Sequence, residues 1–214
     1  MIAGIILAAG ASSRMGQAKA ALPFGQTGET VLSRIVSTML AGGTPRLVVV
    51  SGAHIDAVRR AMPSHESRAK VIEHTAWAQG QLSSLLAGLD AIDDALLEAA
   101  IVTPVDVPLV TAATVAAVIG AWRRTRAPIV RPVNASTSLS AGGERHGHPV
   151  IFDRSVFADL RSADPNIGAK AVFAVHRDRV LNVEVTDPGA FEDMDTPADY
   201  DRLRASGGAD GLNS

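Results

Sequence analysis

Short apolar runs alternate along this chain with longer segments in which apolar residues recur every three or four positions. The first run, residues 2–7, is unbroken, as expected for a strand that is covered on both faces. Residues 31–40 then have apolar positions at helical spacing, and Gly42 and Gly43 can end that helix. This alternation predicts βαβ units, and hence one α/β domain with a mostly parallel central sheet in a three-layer αβα, Rossmann-like arrangement.

The same pattern continues to the end of the chain. It predicts further strands at 47–50, 70–73, 100–105, 129–133, 149–152 and 180–185, and helices at 55–62, 82–97, 111–124, 155–160, 169–175 and 197–203. Asp93 and Asp94 can break the helix predicted at 82–97. Residues 134–147 are polar and unpatterned, which predicts a long loop or hairpin excursion. We expect a domain over residues 1–204 and a frayed tail over 205–214.

Composition narrows the class of protein. Lys and Arg total 20 and Asp and Glu total 22 of 214 residues, which argues against a strongly basic nucleic-acid-binding domain. There is no cysteine, so disulfides, thiolate zinc sites and a Cys nucleophile are excluded. No apolar run approaches the roughly 18 residues of a membrane span, and the first residues lack the basic region of a signal peptide. We therefore expect a cytoplasmic protein with neither nucleic acid nor membrane as a partner.

A loop of small residues follows the first strand and ends in two cations. Gly10 and Gly16 allow close approach and unusual backbone angles, so backbone N–H groups can close around an anion. Arg14 offers a forked grip on phosphate oxygens, and Lys19 offers a mobile point charge. The loop therefore predicts a triphosphate site, although an ordinary tight turn with solvated charges has the same residues.

Two other glycine-rich loops do not match. A Walker loop needs four residues between its glycines and then a lysine, whereas five separate Gly10 from Gly16 and Gln17 follows. A dinucleotide fingerprint needs glycines at the positions of Ser12 and Met15. The acidic residue that would bind a ribose after the second strand is also missing.

A carboxylate follows a later strand of the predicted sheet. Asp106 comes directly after the apolar run 100–105, so it emerges at the carboxyl end, where open α/β sheets bind ligands. A carboxylate beside phosphates is a ligand for Mg²⁺. The alternative is that Asp106 caps the helix that begins near Thr111.

The loop resembles the signature of the molybdenum-cofactor nucleotidyltransferases, which are MobA-like NTP transferases of the glycosyltransferase-A-like class. The resemblance rests on Leu-Ala-Ala-Gly-x-Ser-x-Arg-Met-Gly at 7–16 and recurs, in order, at 77–88, 104–109, 147–152 and 193–199. It therefore covers nearly the whole chain. The spelling Ala-Ala-Gly resembles the cytidylyl branch, since the guanylyl branch usually has Ala-Gly-Gly.

The resemblance implies roles for individual residues. Arg14, Lys19 and Asp106 would be catalytic, and the metal would lie on Asp106 and Asp195, with Asp193 close enough to share that face. Asp195 can instead be a plain helix cap, because it precedes Thr196-Pro197. The nucleotide would bind Leu7, Ala8, Ala9, Gly10, Ser12, Ser13, Arg14, Gly16, Lys19, Gly80, Ser83 and Ser84, while Trp77 is more consistent with packing than with stacking on a base.

The acceptor side would include Gly147, His148, Pro149, Asn166 and Lys170. A lone His148 can equally be a structural residue at a strand edge. The family commonly has Gly-Asp-x-Gly-Ala-Arg where this chain has Pro165-Asn-Ile-Gly-Ala-Lys170. Asn166 lacks the negative charge of the aspartate, and Lys170 lacks the forked guanidinium of the arginine. The identity of the acceptor is therefore left open.

The implied reaction is nucleotidyl transfer with Mg²⁺ from an NTP, CTP by the branch spelling, to the phosphate of molybdopterin or the molybdenum cofactor. A molybdoenzyme or its maturation factor could then be a protein partner. The alternatives are a sugar or alditol phosphate as acceptor, an NAD(P)-dependent oxidoreductase of the MobA-like group, and a nucleotide-binding chaperone or sensor without turnover.

Overall fold

One seven-stranded sheet forms the centre of the molecule. The computed structural model describes residues 1–25, 28–134 and 145–207. The strands are β1 (Ile2–Ala8), β2 (Leu47–Ser51), β3 (Ala69–Glu73), β4 (Ala99–Pro104), β5 (Ile129–Asn134), β6 (Val150–Asp153) and β7 (Val180–Val185). Their order in space is β3-β2-β1-β4-β6-β5-β7, and β6 runs antiparallel to both of its neighbours. The prediction of a mostly parallel sheet is confirmed.

Seven α-helices cover the two faces of the sheet. They are α1 (Val31–Ala41), α2 (Ile55–Ala61), α3 (Gln81–Ile92), α4 (Ala112–Thr125), α5 (Phe157–Ser162), α6 (Lys170–Val175) and α7 (Pro197–Gly207) in the described part of the chain. The side chains of β1 alternate between two cores. Ile2 and Ile6 pack with α1, α2, α4 and α7, while Ala3 and Ile5 pack with α3, α5 and α6. The three-layer αβα arrangement is therefore confirmed.

Two element ends differ from the predictions. Helix α3 ends at Ile92 and not at residue 97, because Asp93 is extended and its carboxylate pairs with Arg154 and Arg161. Helix α7 continues to Gly207, so residues 205–207, expected in the frayed tail, are helical and Gly207 is buried. Residues 208–214 lie outside the described residues, and so does most of the predicted 134–147 loop.

The strand order places a crevice at the carboxyl ends of β1 and β4. The chain leaves β1 for β2 on one side and later returns to β4 on the other side. Open α/β sheets bind ligands at such a switch in strand order, because the loops after the two strands diverge there.

Candidate active site

Two connected cavities open at this crevice. The first, which we call the loop cavity, has a volume of about 410 Å³ and lies between the loop after β1, the start of α3 and the end of β4. The second, the histidine cavity, has a volume of about 560 Å³ and lies between β6, His148 and residues 165–170. Leu7, Gln81 and Pro104 line both cavities, so a ligand in one can reach a ligand in the other.

The loop after β1 is a tight turn, and a side chain from the start of α2 holds it in place. The N–H groups of Met15 and Gly16 donate to the carbonyl oxygen of Ser12 at 2.9 and 3.1 Å, and Ser12 and Gly16 have positive φ angles of 50° and 68°. His54, at the start of α2, donates from Nε2 to the carbonyl oxygen of Ala11 at 2.9 Å. Since a carbonyl only accepts, Nε2 carries the proton. His54 therefore fastens the loop to the β2–α2 turn.

Four charged side chains meet beneath this loop. Lys19 is largely buried, and its Nζ lies 2.8 Å from Asp195 Oδ1 and 3.5 Å from Asp106 Oδ2. Arg14 Nη1 lies 3.1 Å from Asp195 Oδ2. The backbone N–H of Met194 donates to the carbonyl of Asp106 at 2.7 Å, which brings the segment before α7 to the end of β4. The sheet thus gathers side chains from three distant parts of the sequence.

Neither aspartate caps a helix. Helix α4 is capped by Thr111, whose hydroxyl accepts from the Thr114 N–H. At the start of α7, the Thr196 hydroxyl accepts from the Asp199 N–H, and Asp199 accepts from the Thr196 N–H. The capping interpretation is therefore wrong for both Asp106 and Asp195, which point into the loop cavity.

The two carboxylates differ in electrostatics. Burial raises the pKa of Asp106 despite the nearby Lys19, and its Oδ1 is buried with no hydrogen-bond partner among the described residues. The hydrogen bond from Lys19 lowers the pKa of Asp195, so that carboxylate is firmly ionised at neutral pH. An unpartnered carboxylate oxygen beside a second carboxylate fits a divalent cation.

The protein supplies only part of a coordination shell here. Within residues 1–25, 28–134 and 145–207, no group of three or more His, Cys, Asp or Glu side chains could hold a metal ion. Asp193, the other aspartate of this segment, is exposed and does not line the loop cavity. Two carboxylates suit Mg²⁺, which takes one or two carboxylates together with substrate oxygens and water.

The start of α3 forms the opposite wall of the loop cavity. Gly80 has a φ of +107° and lines the cavity together with Ser84. The hydroxyl of Ser83 instead donates to the carbonyl of Gly80 at 2.8 Å and lies 3.0 Å from His74 Nε2, outside the cavity lining. Trp77 lines the cavity and also packs against Gly52, where a Cβ would lie 2.5 Å from the indole.

The histidine cavity contains the predicted acceptor block. Gly147 allows close packing, since a Cβ there would lie 2.3 Å from the carbonyl oxygen of Ala190. His148 lines the cavity with Asn166 and Lys170, whereas Pro149 is buried outside the lining. Burial lowers the pKa of His148 to about 4, and its Nδ1 is buried with no hydrogen-bond partner among the described residues.

Most of the sequence-predicted residues therefore converge on the two cavities, and Gly16, Ser83 and Pro149 lie next to them. The predicted site residues did not include His54, Gln81 and Pro104, although the last two lie in the segments 77–88 and 104–109 that carry the resemblance. Gln81 stands beside the noted Gly80, and Pro104 is the last residue of β4, so position at an element end could have indicated both. Nothing local in the sequence marks His54, because its partner Ala11 is 43 residues away.

Comparison with known families agrees with this geometry. Residues 4–180 match the model of the MobA-like NTP transferase domain. The chain belongs to the MobA-like NTP transferase family. It is accordingly a nucleotidyltransferase, and enzymes of this kind use a divalent metal.

Individual relatives differ in their names. A Paenarthrobacter nicotinovorans protein named nicotine blue oxidoreductase is 30% identical over 204 residues, 94% of this chain and 96% of its own. A protein of Mycolicibacterium paratuberculosis, named a probable molybdenum cofactor guanylyltransferase, is 29% identical over 75% of this chain and 78% of its own. The relatives of this chain are therefore named for more than one activity.

Solved structures share the fold along the whole chain. The Mycobacterium tuberculosis H37Rv protein Rv0371c is 29% identical, with a TM-score of 0.77 over 96% of this chain and 98% of its own, and it has also been solved in complex with manganese. No helix in the described part of this chain is long and apolar enough to cross a membrane.

Proposed function

We propose that this MobA-like protein transfers CMP from CTP, with Mg²⁺, to the terminal phosphate of molybdopterin or its molybdenum form. The observation that carries the proposal is the pairing of Lys19 with Asp106 and Asp195 directly beneath a phosphate-type loop. A cation and two carboxylates at the carboxyl edge of β1 and β4 suit a nucleoside triphosphate and its metal. The adjoining histidine cavity supplies room for the acceptor.

The reaction needs positioning and charge neutralisation and no general base. An acceptor phosphate oxygen, already anionic at pH 7, forms a bond to the α-phosphorus while the bond to the bridging oxygen of pyrophosphate breaks. Arg14 and Lys19 hold the phosphate oxygens and stabilise the negative charge that develops on them. The turn around Ser12 and Gly16 leaves backbone N–H groups for the phosphates.

Asp106 and Asp195 would hold the metal ion. The Oδ1 of Asp106, which has no donor within the described part of the chain, is the feature that fits a cation, because a buried carboxylate oxygen without a donor is otherwise costly. When bound, Mg²⁺ would neutralise charge on the triphosphate and on the departing pyrophosphate. Lys19, which now bridges the two carboxylates, would then be able to turn its ammonium towards the phosphates.

The choice of CTP rests on Ala8-Ala9-Gly10, and the choice of acceptor rests on the resemblance to the molybdenum-cofactor enzymes. One relative is named a probable molybdenum cofactor guanylyltransferase. Its name supports the molybdenum cofactor as acceptor, but it specifies guanine and not cytosine as the base. Ala9 lines the loop cavity, so its methyl group lies where the glycine of the guanylyl branch has only a hydrogen atom. An added methyl leaves less room and favours the smaller pyrimidine base.

The test is pyrophosphate release with Mg²⁺ and purified molybdopterin, with CTP and GTP offered separately. We expect release with CTP and little with GTP. Release with GTP alone would contradict the base, and release only with a sugar or alditol phosphate would contradict the acceptor. CTP binding without release from any acceptor would favour a nucleotide sensor.

Redox chemistry is the second candidate, because the relative that is 30% identical is named an oxidoreductase. The loop after β1 lacks the dinucleotide fingerprint, which argues against it. NADH and NADPH oxidation, followed by absorbance with an oxidised dye substrate, would distinguish the two. Oxidation at a rate that exceeds nucleotidyl transfer would reverse the ranking.

A further inference from the structure

The histidine cavity differs in chemistry from a phosphate site. Its walls include Leu82, Leu85, Val102, Val150, Phe152 and Phe173. All but Phe173 are buried core residues, and Phe152 and Phe173 meet edge to face with ring centroids 5.9 Å apart. Such walls favour an uncharged ligand surface, since stripping water from a phosphate here would be costly.

The cations of this cavity are already engaged or solvated. The guanidinium of Arg131 lies over the ring of Phe173, 5.2 Å from its centroid, and its Nε donates to Asn182 Oδ1 at 3.0 Å. Lys170, at the start of α6, is exposed. Neither cation therefore makes the apolar part of the cavity a place for a phosphate group.

His148 is one of several polar groups in these walls, with Gln81, His146 and Asn166 among the others, and its surroundings fix its proton. Nδ1 is buried without a partner among the described residues. A buried N–H without an acceptor is rarer than an unused lone pair, so the proton of the neutral ring belongs on Nε2. Because burial lowers the pKa of His148 to about 4, the ring is uncharged at pH 7. It can then donate one hydrogen bond and offers no positive charge.

We propose that His148 determines acceptor specificity by donating an Nε2–H hydrogen bond to an uncharged carbonyl oxygen or ring nitrogen of the acceptor's apolar body. The phosphate of the acceptor then lies towards Leu7, Gln81 and Pro104, where the two cavities join and where the α-phosphorus of the NTP must be reached. This inference rests on the proposed function for the identity of the second substrate. It assigns the histidine cavity to a heterocyclic ring and excludes phosphate from it.

The first test reads the proton directly and needs no turnover. Long-range ¹H–¹⁵N spectra of the full chain at pH 7 should show six histidines, with His148 assigned as the signal missing from H148Q. We expect a neutral ring protonated at Nε2. An imidazolium ring, or a neutral ring protonated at Nδ1, would overturn the proposal.

The same signal then distinguishes ligand classes. Lumazine, a bicyclic ring with carbonyl oxygens and no phosphate, should shift the His148 signal, whereas inorganic phosphate at the same concentration should not. A shift with inorganic phosphate, whether or not lumazine also gives one, or a shift with neither probe, would overturn the proposal. Failure of pyrophosphate release would instead count against the proposed function and would leave this result intact.

Kinetics add a matched pair of variants. H148F removes the donor, and we expect a KM for molybdopterin about 2- to 10-fold higher, the loss of one neutral hydrogen bond, with the KM for CTP unchanged. H148Q keeps an N–H donor and should recover most of that loss. Equal KM values for molybdopterin in the wild type and H148F would contradict the assignment.

Discussion

The loop cavity and the histidine cavity are neighbours, yet they use opposite chemistry. The loop cavity gathers Arg14, Lys19, Asp106 and Asp195 into a network of ion pairs. The histidine cavity has mostly apolar walls and a neutral His148. A sheet edge with both properties can bind a highly charged nucleotide beside an acceptor that is charged only at one end. Under the function and the inference proposed above, charge serves the chemical step, and shape and hydrogen bonding select the acceptor.

The largest expected effect is at Asp106. D106N should lower pyrophosphate release by at least about 10³-fold, because it removes a charge that holds the metal beside the developing negative charge. Burial raises the pKa of Asp106, so folding disfavours its ionised form. We therefore expect the unfolding temperature of D106N, measured by calorimetry without metal, to be equal to or above that of the wild type. D201N, at an exposed position on α7, is the matched control.

Near-wild-type turnover in D106N would contradict the metal assignment. A large fall in unfolding temperature would show instead that Asp106 serves the fold. The opposite signs expected for activity and stability are what separate a functional carboxylate from a structural one.

Lys19 should have the next largest effect. K19M leaves Asp106 and Asp195 without the cation between them, and we expect about a 10²-fold loss in kcat together with a lower free energy of unfolding. Steady-state kinetics and urea unfolding measure the two effects. K70M, at an exposed position on β3, controls for the loss of a lysine charge. An unchanged kcat in K19M would mean that Lys19 only compensates the carboxylates.

These residues also show what the sequence could predict. Asp106 was found because it follows an apolar run, and a parallel sheet brings strand ends to one edge. Asp195 was predicted only through the family resemblance, because no pattern in the sequence shows that its segment crosses that edge, where the Met194 N–H donates to the Asp106 carbonyl. The place of β6 was not predictable from pattern, because its antiparallel insertion between β4 and β5 depends on packing between distant segments.

Substitution of His54 tests whether the loop after β1 needs the hydrogen bond from α2 to keep its shape. H54F removes the hydrogen bond to the Ala11 carbonyl, so we expect the KM for CTP to rise about 3- to 10-fold with a smaller change in kcat. H54Q, which keeps an N–H donor, should restore part of the affinity. H65F, at an exposed histidine, is the control. Identical KM values for H54F and the wild type would show that the loop keeps its shape unaided.

His148 predicts a pH dependence of stability. Burial lowers its pKa from 6.5 to about 4, so the neutral ring stabilises the fold fully above pH 6.5. That contribution is lost as the pH falls from 6.5 towards 4, at most about 3 kcal/mol. Urea unfolding at pH 7.5 and pH 5 should therefore show a larger loss in the wild type than in H148Q, whereas H65Q should follow the wild type. Parallel pH profiles for the wild type and H148Q would place His148 in solvent.

The smallest expected effect concerns the nucleobase. Ala9 differs from the glycine of the guanylyl spelling by one methyl group, and a methyl group is worth about 1 kcal/mol of discrimination, or a few-fold in kcat/KM. We expect A9G to raise kcat/KM for GTP relative to CTP by at most about 5-fold, which corresponds to that 1 kcal/mol. The carbonyl of Ala9 accepts from the Ala53 N–H, and this backbone bond survives the substitution. A53G, on the facing turn, tests whether added backbone freedom alone relaxes the choice. An unchanged ratio in A9G would show that the loop does not determine which base is bound. Trp77 and the start of α3, which line the same cavity, would then be the next candidates.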